Sequence, residues 1–283
     1  MKTSNISWTD YSGQDLNFVS GCTPVSEGCE HCYARAIYKR FGRDFDTVRR
    51  HEDRLQRIHK GRGTYSPKRG MPHKPMCFVC DTGDLFHDAV PDWFVLDALT
   101  VMAMRDGIVW QLLTKRPARM RTLVREWTHG VRGTIPAWVA NEPFPDNIWL
   151  GVTAENQARA DERIPVLLDT PAAVRFISVE PMLEAVDLSG HMPEWDHRPE
   201  HEYWRAAFSD TDGKKILIRH GIDWVICGAE SGPNRRPFNA AWATNLYEQC
   251  KEAGVPFFGK QDSGLRPGTP LLINGQEIKR WPE

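Results

Sequence analysis

The 283-residue sequence has no long hydrophobic run. Its longest apolar stretches, such as residues 108–113, fall far short of the roughly 20 residues that span a bilayer. The opening residues, MKTSNISWTDYSG, hold no apolar segment of the kind that marks a secretory leader. Net charge is nearly absent, since 36 Lys and Arg face 37 Asp and Glu, so no whole-molecule field demands a polyanionic partner. Internal repeats and low-complexity tracts are also missing. With 41% hydrophobic and 26% charged residues, the composition is that of a globular chain long enough to bury its own core. Membrane-spanning, fibrous, disordered and disulfide-stapled classes are thereby excluded. Seven cysteines, an odd number, without an export signal point to a reducing cytoplasm.

What the sequence does contain is unevenly placed. Cys22, Cys29 and Cys32 cluster, Cys77 and Cys80 form a pair, and Cys227 and Cys250 stand alone. From Lys39 to Lys74 there are twelve Lys or Arg and four Asp or Glu, a local excess of +8 that leaves about −9 for the remainder. Tyr38, Phe41, Phe45 and Tyr65 are interspersed there, so the segment predicts a nucleic-acid partner held through phosphates and stacked bases. A solvated basic face is the plainer alternative.

Short apolar, β-branched runs alternate with amphipathic stretches along most of the chain. Strands are predicted at 76–80, 108–113, 147–152, 174–179, 224–227 and 256–258, with a shorter one at 16–19. Helices are predicted at 30–41, 91–105, 117–127, 155–168 and 240–253, with proline in two first turns and Gly254 closing the last. Such alternation means parallel strands joined by right-handed βαβ units. Polar residues follow nearly every run: Asp81 and Asp84; Thr114, Lys115 and Arg116; Thr153 and Glu155; Ser178 and Glu180; Glu230 and Ser231; Lys260 and Gln261. In a barrel all strand C-termini share one functional rim, whereas an open doubly wound sheet needs polar ends mainly at its switch point. The expectation is an α/β fold, a partial or full (β/α) TIM-like barrel forming one domain over 1–283. A basic insertion at 42–75, an insertion or lid at 189–221 and a C-terminal extension at 264–283 interrupt or follow it.

The strongest motif is Cys22-Thr-Pro-Val-Ser-Glu-Gly-Cys29-Glu-His-Cys32, a C-x6-C-x2-C cluster. Three thiolates on one Gly/Pro-bent loop can bind a soft metal centre and leave a fourth position open. His31 keeps a closed, structural zinc site in play. Cys77 and Cys80, three apart in a strand, are expected on opposite faces and serve better as core residues.

A three-cysteine loop at the first βα connection of a (β/α) barrel resembles the radical S-adenosylmethionine superfamily. Over residues 21–261 the stretches GCTPVSEGCEHCYA, CDTGDLFH, LLTKRP, ISVEPML, WVICGAESGPNRRP and GVPFFGKQ also resemble an uncharacterised, bacteriophage-associated three-cysteine-motif family. The resemblance implies a [4Fe–4S] cluster on Cys22, Cys29 and Cys32. S-adenosylmethionine would bind at its open iron and be cleaved reductively to a hydrogen-abstracting radical. It further implies that Asp81, Asp84, Thr114, Lys115, Glu180 and Ser231 hold the cofactor and that Glu180, Glu230 and Lys260 are catalytic. The function expected is an iron–sulfur enzyme acting on a nucleic acid or nucleotide. The alternative is a nucleic-acid-binding phage protein with structural zinc in the Cys/His loop. A partner protein that delivers substrate stays open, and no membrane is expected.

Overall fold

Six apolar runs become six parallel strands in the computed structural model, which describes residues 3–62, 65–67, 74–128, 144–193, 204–209, 215–219 and 221–282. They are β1 (Met76–Val79), β2 (Val109–Thr114), β3 (Ile148–Thr153), β4 (Arg175–Val179), β5 (Trp224–Gly228) and β6 (Phe257–Gln261). Neighbours in the sheet are neighbours in the chain, β1 through β6 without reversal, and every pairing is parallel. A doubly wound sheet would change direction at a switch point. None is present, so this is the half-barrel form of the (β/α) barrel.

The period-two pattern within each strand sorts residues to two separate cores. Cys77, Val79, Trp110, Leu112, Leu150, Ile177, Val225 and Phe257 point outward into the core shared with the helices. Those helices are α3 (Asp92–Ala103), α4 (Pro117–Thr128), α5 (Gln157–Leu168) and α6 (Ala240–Glu252), which follow β1, β2, β3 and β5. The alternate residues Met76, Phe78, Val109, Trp149, Phe176, Trp224, Ile226 and Phe258 point inward and form a second core with Trp8. Each buried ring removes roughly 150–250 Å² from water, and at about 25 cal/mol per Å² this aromatic filling contributes several kcal/mol per side chain.

Both ends of the described chain close this inner core from the N-terminal side of the strands. Trp281 packs on Phe258 with ring centres 5.0 Å apart, and its indole N–H donates to the Trp8 carbonyl at 3.2 Å. The Trp224 indole donates to the Arg280 carbonyl at 2.8 Å. The expected C-terminal extension is thus a wrap: a short hairpin, Leu272–Ile273 with Gln276–Glu277, then an antiparallel bridge from Lys279 to Phe258 along the β6 edge.

The strand predicted at 16–19 does not form. Gln14–Leu16 is a 3₁₀ turn and only Val19–Ser20 is extended, paired antiparallel with Arg49–Arg50. Gly13, at φ 101°, turns the chain, and the segment lies irregularly beside β1 through Tyr11 N–H to Met76 O, Phe78 N–H to Tyr11 O and Cys80 N–H to Leu16 O. It covers an edge that would otherwise stay unpaired. Before β1 come α1 (Tyr33–Arg40) and α2 (Glu52–His59); the latter lies in the basic insertion and buries Leu55 and Ile58. In the 189–221 insertion a 3₁₀ turn, Ser189–His191, precedes an antiparallel pair, Trp204–Ser209 with Lys215–Arg219. Its residues 194–203, 210–214 and 220, like 63–64 and 68–73 of the basic segment, lie outside the described residues. Among the described residues no helix is long and apolar enough to cross a membrane.

Candidate functional site

Seven free cysteines fall into two environments. Cys77, Cys80, Cys227 and Cys250 are buried, and burial pushes all four thiols up, Cys80 to about 12. Cys77 and Cys80 do not point to opposite faces as expected. Cys80 leaves the strand at φ 60°, so both sulfurs enter the helix-side core, where Cys80 accepts the Val19 N–H at 3.4 Å. Cys22, Cys29 and Cys32 are partly exposed on the loop that crosses the C-terminal rim. That loop starts at Gly21, at φ 84°, where any side chain would collide with the Thr47 carbonyl.

Four of the six strand ends hold the cysteine loop. From the β1 end, Asp84 is buried and accepts the Thr114 hydroxyl at 2.9 and 2.8 Å, the Phe86 N–H at 2.9 Å and Arg116 at 3.2 Å. Thus braced, Arg116 reaches the Cys22 sulfur at 3.6 Å and the Thr23 carbonyl at 3.1 Å. His87 Nδ1 accepts the Ala89 N–H, which leaves Nε2 to donate to the Thr23 hydroxyl at 2.8 Å. From the β2 end, the Lys115 ammonium lies 3.7 Å from the Cys29 sulfur and 3.3 Å from Glu155. From the β3 end, the fully buried Glu155 accepts the Ser26 hydroxyl and the Gly28 N–H, while Arg163 of α5 grips its other oxygen at 2.9 Å. A Cβ at position 28 would sit 2.7 Å from Lys115 Nζ and 2.9 Å from Glu155 Oε1, so the loop approaches these groups only as glycine. From the β5 end, Glu230 pairs with Arg236 and meets His31 Nδ1 at 3.0 Å, and Arg236 reaches on to the Glu27 carbonyl and Glu30.

Charge differentiates the thiols. Burial raises the Cys22 thiol to about 11, with the Asp84 charge adding to the rise and Arg116 opposing it. Burial also raises Cys29, but Lys115 and the donors of Val25 and Ser26 outweigh it and hold that thiol below its ordinary value. Glu155 is held below the usual carboxylate range because Lys115 and Arg163 outweigh its desolvation. Glu230 is low as well, where Arg236 and His31 outweigh burial.

The remaining two ends pair with each other instead. Glu180, after β4, accepts Lys260 Nζ from β6 at 2.8 Å and the Ser178 hydroxyl at 3.1 Å. A Cβ at Gly228 would come within 2.8 Å of the Glu180 carboxylate. This pair lies on the inner side of the sheet, one inward position above Ser178, Ile226 and Phe258, and its side chains keep part of their exposure, 13% for Glu180 and 26% for Lys260.

The predicted site residues therefore have different surroundings. Cys22, Cys29, Lys115, Asp84 and Thr114 belong to one connected network. Asp81, raised by burial, accepts Asn17 Nδ2 at 2.7 Å, and its backbone carbonyl receives the Tyr33 hydroxyl. Ser231 pairs through its backbone with Gly264 and is half-buried. Ser26, Glu155, Arg163 and Arg236 complete the rim and were not singled out as site residues from the sequence. Glu155 carried the signal of a polar strand end, whereas Arg163 sits in an amphipathic helix where a charge reads as solvent-facing.

The donor chemistry fits a multi-iron cluster. Three soft thiols are free and partly exposed on one loop, with Arg116 at the Cys22 sulfur, where it only offsets part of the burial, and Lys115 at the Cys29 sulfur, where the thiolate is favoured. Among the described residues no three Cys, His, Asp or Glu side chains gather around a single point as one metal ion requires. A cluster places each thiolate on a different iron and does not need that convergence. His31 Nδ1 is engaged with Glu230.

No curated protein matches the chain. Two solved structures are similar to it, each at a TM-score of 0.45 and 10% sequence identity over 94% of this chain. One is spore photoproduct lyase complexed with dinucleoside spore photoproduct, of which 78% is covered. The other is a mutant of that lyase with bound AdoMet and the same dinucleoside, of which 79% is covered. A family model matches residues 3–270, the whole half-barrel with its cysteine loop and rim. The chain belongs to the family described as Protein of unknown function (DUF5131).

Proposed function

We propose that the protein is an iron–sulfur enzyme of the radical S-adenosylmethionine type that acts on a nucleic acid or nucleotide. The observation that carries this reading is the division of the rim. Four strand ends fix a loop of three accessible cysteines, with Arg116 and Lys115 at two of the sulfurs, and the other two ends leave Glu180 and Lys260 at the opening. Cys22, Cys29 and Cys32 would hold a [4Fe–4S] cluster. When bound, that group supplies an electron and an iron site open to the amino and carboxylate groups of S-adenosylmethionine.

The chain's own residues then divide by role. Asp84, Thr114 and Arg116 position Cys22, and Glu155 with Lys115 positions Cys29. Glu180 presents an acceptor to an ammonium or ribose hydroxyl, and Lys260 a cation to a carboxylate or phosphate. Asp81 and Ser231 would be further polar contacts for the cofactor. Glu230 joins the opening to the loop through His31 and Arg236 and is the third rim carboxylate in reach of substrate. The aromatic inner core beneath Glu180 and Lys260 excludes water from below, which strengthens every polar interaction above it.

Anaerobic reconstitution followed by spin-resonance spectroscopy of the reduced protein tests the reading. Iron and sulfide uptake, with a spectrum that changes when S-adenosylmethionine is added, is the expected result. A spectrum indifferent to S-adenosylmethionine, or one tightly held zinc without iron, overturns it. Glu180→Gln and Lys260→Met are expected to weaken the S-adenosylmethionine-dependent change while iron content stays at the wild-type level.

A further inference from the structure

Beside the cysteine loop, the basic segment folds around a cavity of about 410 Å³ lined by Ser20, Tyr38, Arg43, Asp44, Arg49, His51 and Arg54. Among the described residues none of its three arginines makes an ion pair with a carboxylate, although the Asp53 and Asp15 charges act on Arg54. Arg49 donates only to the Asp44 and Thr47 carbonyls, and Arg54 to the Asn17 carbonyl at 2.7 Å. The Arg43 side chain has no hydrogen-bond partner among the described residues; its guanidinium lies over the Phe41 ring, 5.9 Å from its centre. The one acid, Asp44, accepts the Thr47 hydroxyl and the Asp46 N–H. A second depression shares Arg49 and His51 and adds Glu52, Asp53 and Arg50, which pairs with Glu52 at 3.0 Å and lies 5.4 Å from the Trp93 ring centre. Phe41 and Trp93 are 65% and 45% exposed, large apolar faces with no packing reason to be outside.

Three guanidiniums without an ion-pair partner around a cavity attract a phosphodiester, and arginine meets phosphate oxygens with paired donors. Two exposed aromatic rings, each already stacked with an arginine, offer platforms to unpaired bases, whose faces a duplex hides. The same two-residue ladder that places Arg49 and Arg50 holds Val19 and Ser20, immediately before Gly21 and Cys22. A strand held here would therefore lead onto the cysteine rim.

We infer that the cavity between α1 and α2 binds a backbone phosphate of single-stranded nucleic acid through Arg43, Arg49 and Arg54, with Phe41 and Trp93 stacking the neighbouring bases. This deepens the reading above and takes from it only the substrate class.

The test is fluorescence anisotropy of a dye-labelled oligothymidine of about 15 nucleotides, long enough for one such groove, titrated with the full chain over a series of salt concentrations. Arg43→Ala is expected to weaken binding several-fold and to flatten the salt dependence by about 0.7 in log–log slope, the share of one phosphate contact. Phe41→Ala and Trp93→Ala are each expected to weaken binding at least about fivefold and leave the slope unchanged. Arg43 and Phe41 make no hydrogen bond from their side chains among the described residues, so these variants keep the fold, which circular dichroism checks. Arg43→Ala and Phe41→Ala both binding like wild type would overturn the inference. So would tighter binding of a duplex of equal length, or displacement of the oligonucleotide by phosphatidylserine vesicles at matched charge. Titrations before and after cluster reconstitution separate the two proposals. Failure to take up iron sinks the enzymatic reading and leaves this site standing, whereas a fully loaded protein that ignores the oligonucleotide sinks this site alone.

Discussion

The two ends of the same six strands are built from opposite materials. At the N-terminal end the inner face is closed by Trp8, Trp224, Phe258 and Trp281, joined by ring contacts and two indole hydrogen bonds to carbonyls. At the C-terminal end the corresponding positions carry Lys115, Glu155, Glu180, Glu230 and Lys260, all five in ion pairs. The first end can only resist unfolding. The second holds charges, thiols and partial exposure together, which is where chemistry becomes available. One half of the molecule contributes the stability that lets the other half keep a costly arrangement.

The difference can be broken most completely at the thiols. Cys29→Ala should abolish iron and sulfide uptake while urea denaturation of the metal-free protein shifts little, and Cys250→Ala should do the reverse. Next in size, Trp224→Ala should cost about 3–5 kcal/mol in urea denaturation and leave the residual folded protein able to take up iron. Arg163→Met belongs to the same range, because it leaves Glu155 buried with one of its two cations gone, and breaking such a pair costs about 3–5 kcal/mol. Here the rim should suffer too, seen as slower iron uptake, since Glu155 anchors Ser26 and Gly28.

The sign of the pH effect follows from the same carboxylate. Glu155 is held low in the folded protein, so its contribution is complete above the ordinary glutamate range and is lost as pH falls through and below it. Acid unfolding of the metal-free protein should therefore be less steep in Glu155→Gln, which is also less stable near neutrality. Smaller again is Gly151→Ala. A Cβ there would lie 2.5 Å from the Phe176 ring, and overpacking at a rigid aromatic costs about 1–3 kcal/mol. The finest contrast lies within the rim. At about pH 8 iodoacetamide should modify Cys29 at least about tenfold faster than Cys22, because the reactive thiolate is favoured in one and suppressed in the other. Mass spectrometry of the metal-free protein would read the ratio.

Much of the half-barrel was legible beforehand because its strands are continuous apolar runs, and burial on both faces leaves no other reading for them. The observed β1 to β6 start and end within two or three residues of the predicted runs, and polar residues beyond each run marked the rim. The 16–19 segment misled because Leu16, Phe18 and Val19 are all buried yet belong to an irregular edge, where tertiary contact rather than local extension supplies the burial. Partners across the rim were not legible. His31 meets Glu230 and Gly28 meets Glu155 over separations of 199 and 127 residues, and nothing local in either segment encodes the other. The three cysteines announced themselves by spacing; the cations that tune them needed coordinates.

The bond between Trp281 and Trp8 joins positions 273 residues apart. During synthesis the first of these tryptophans must wait for the 273 residues that separate it from its cap. The interior of the half-barrel consequently stays open to water, or to a chaperone, until translation has passed Trp281. Truncations that spare every strand and every cysteine but remove that residue should accumulate as hollow, sticky intermediates.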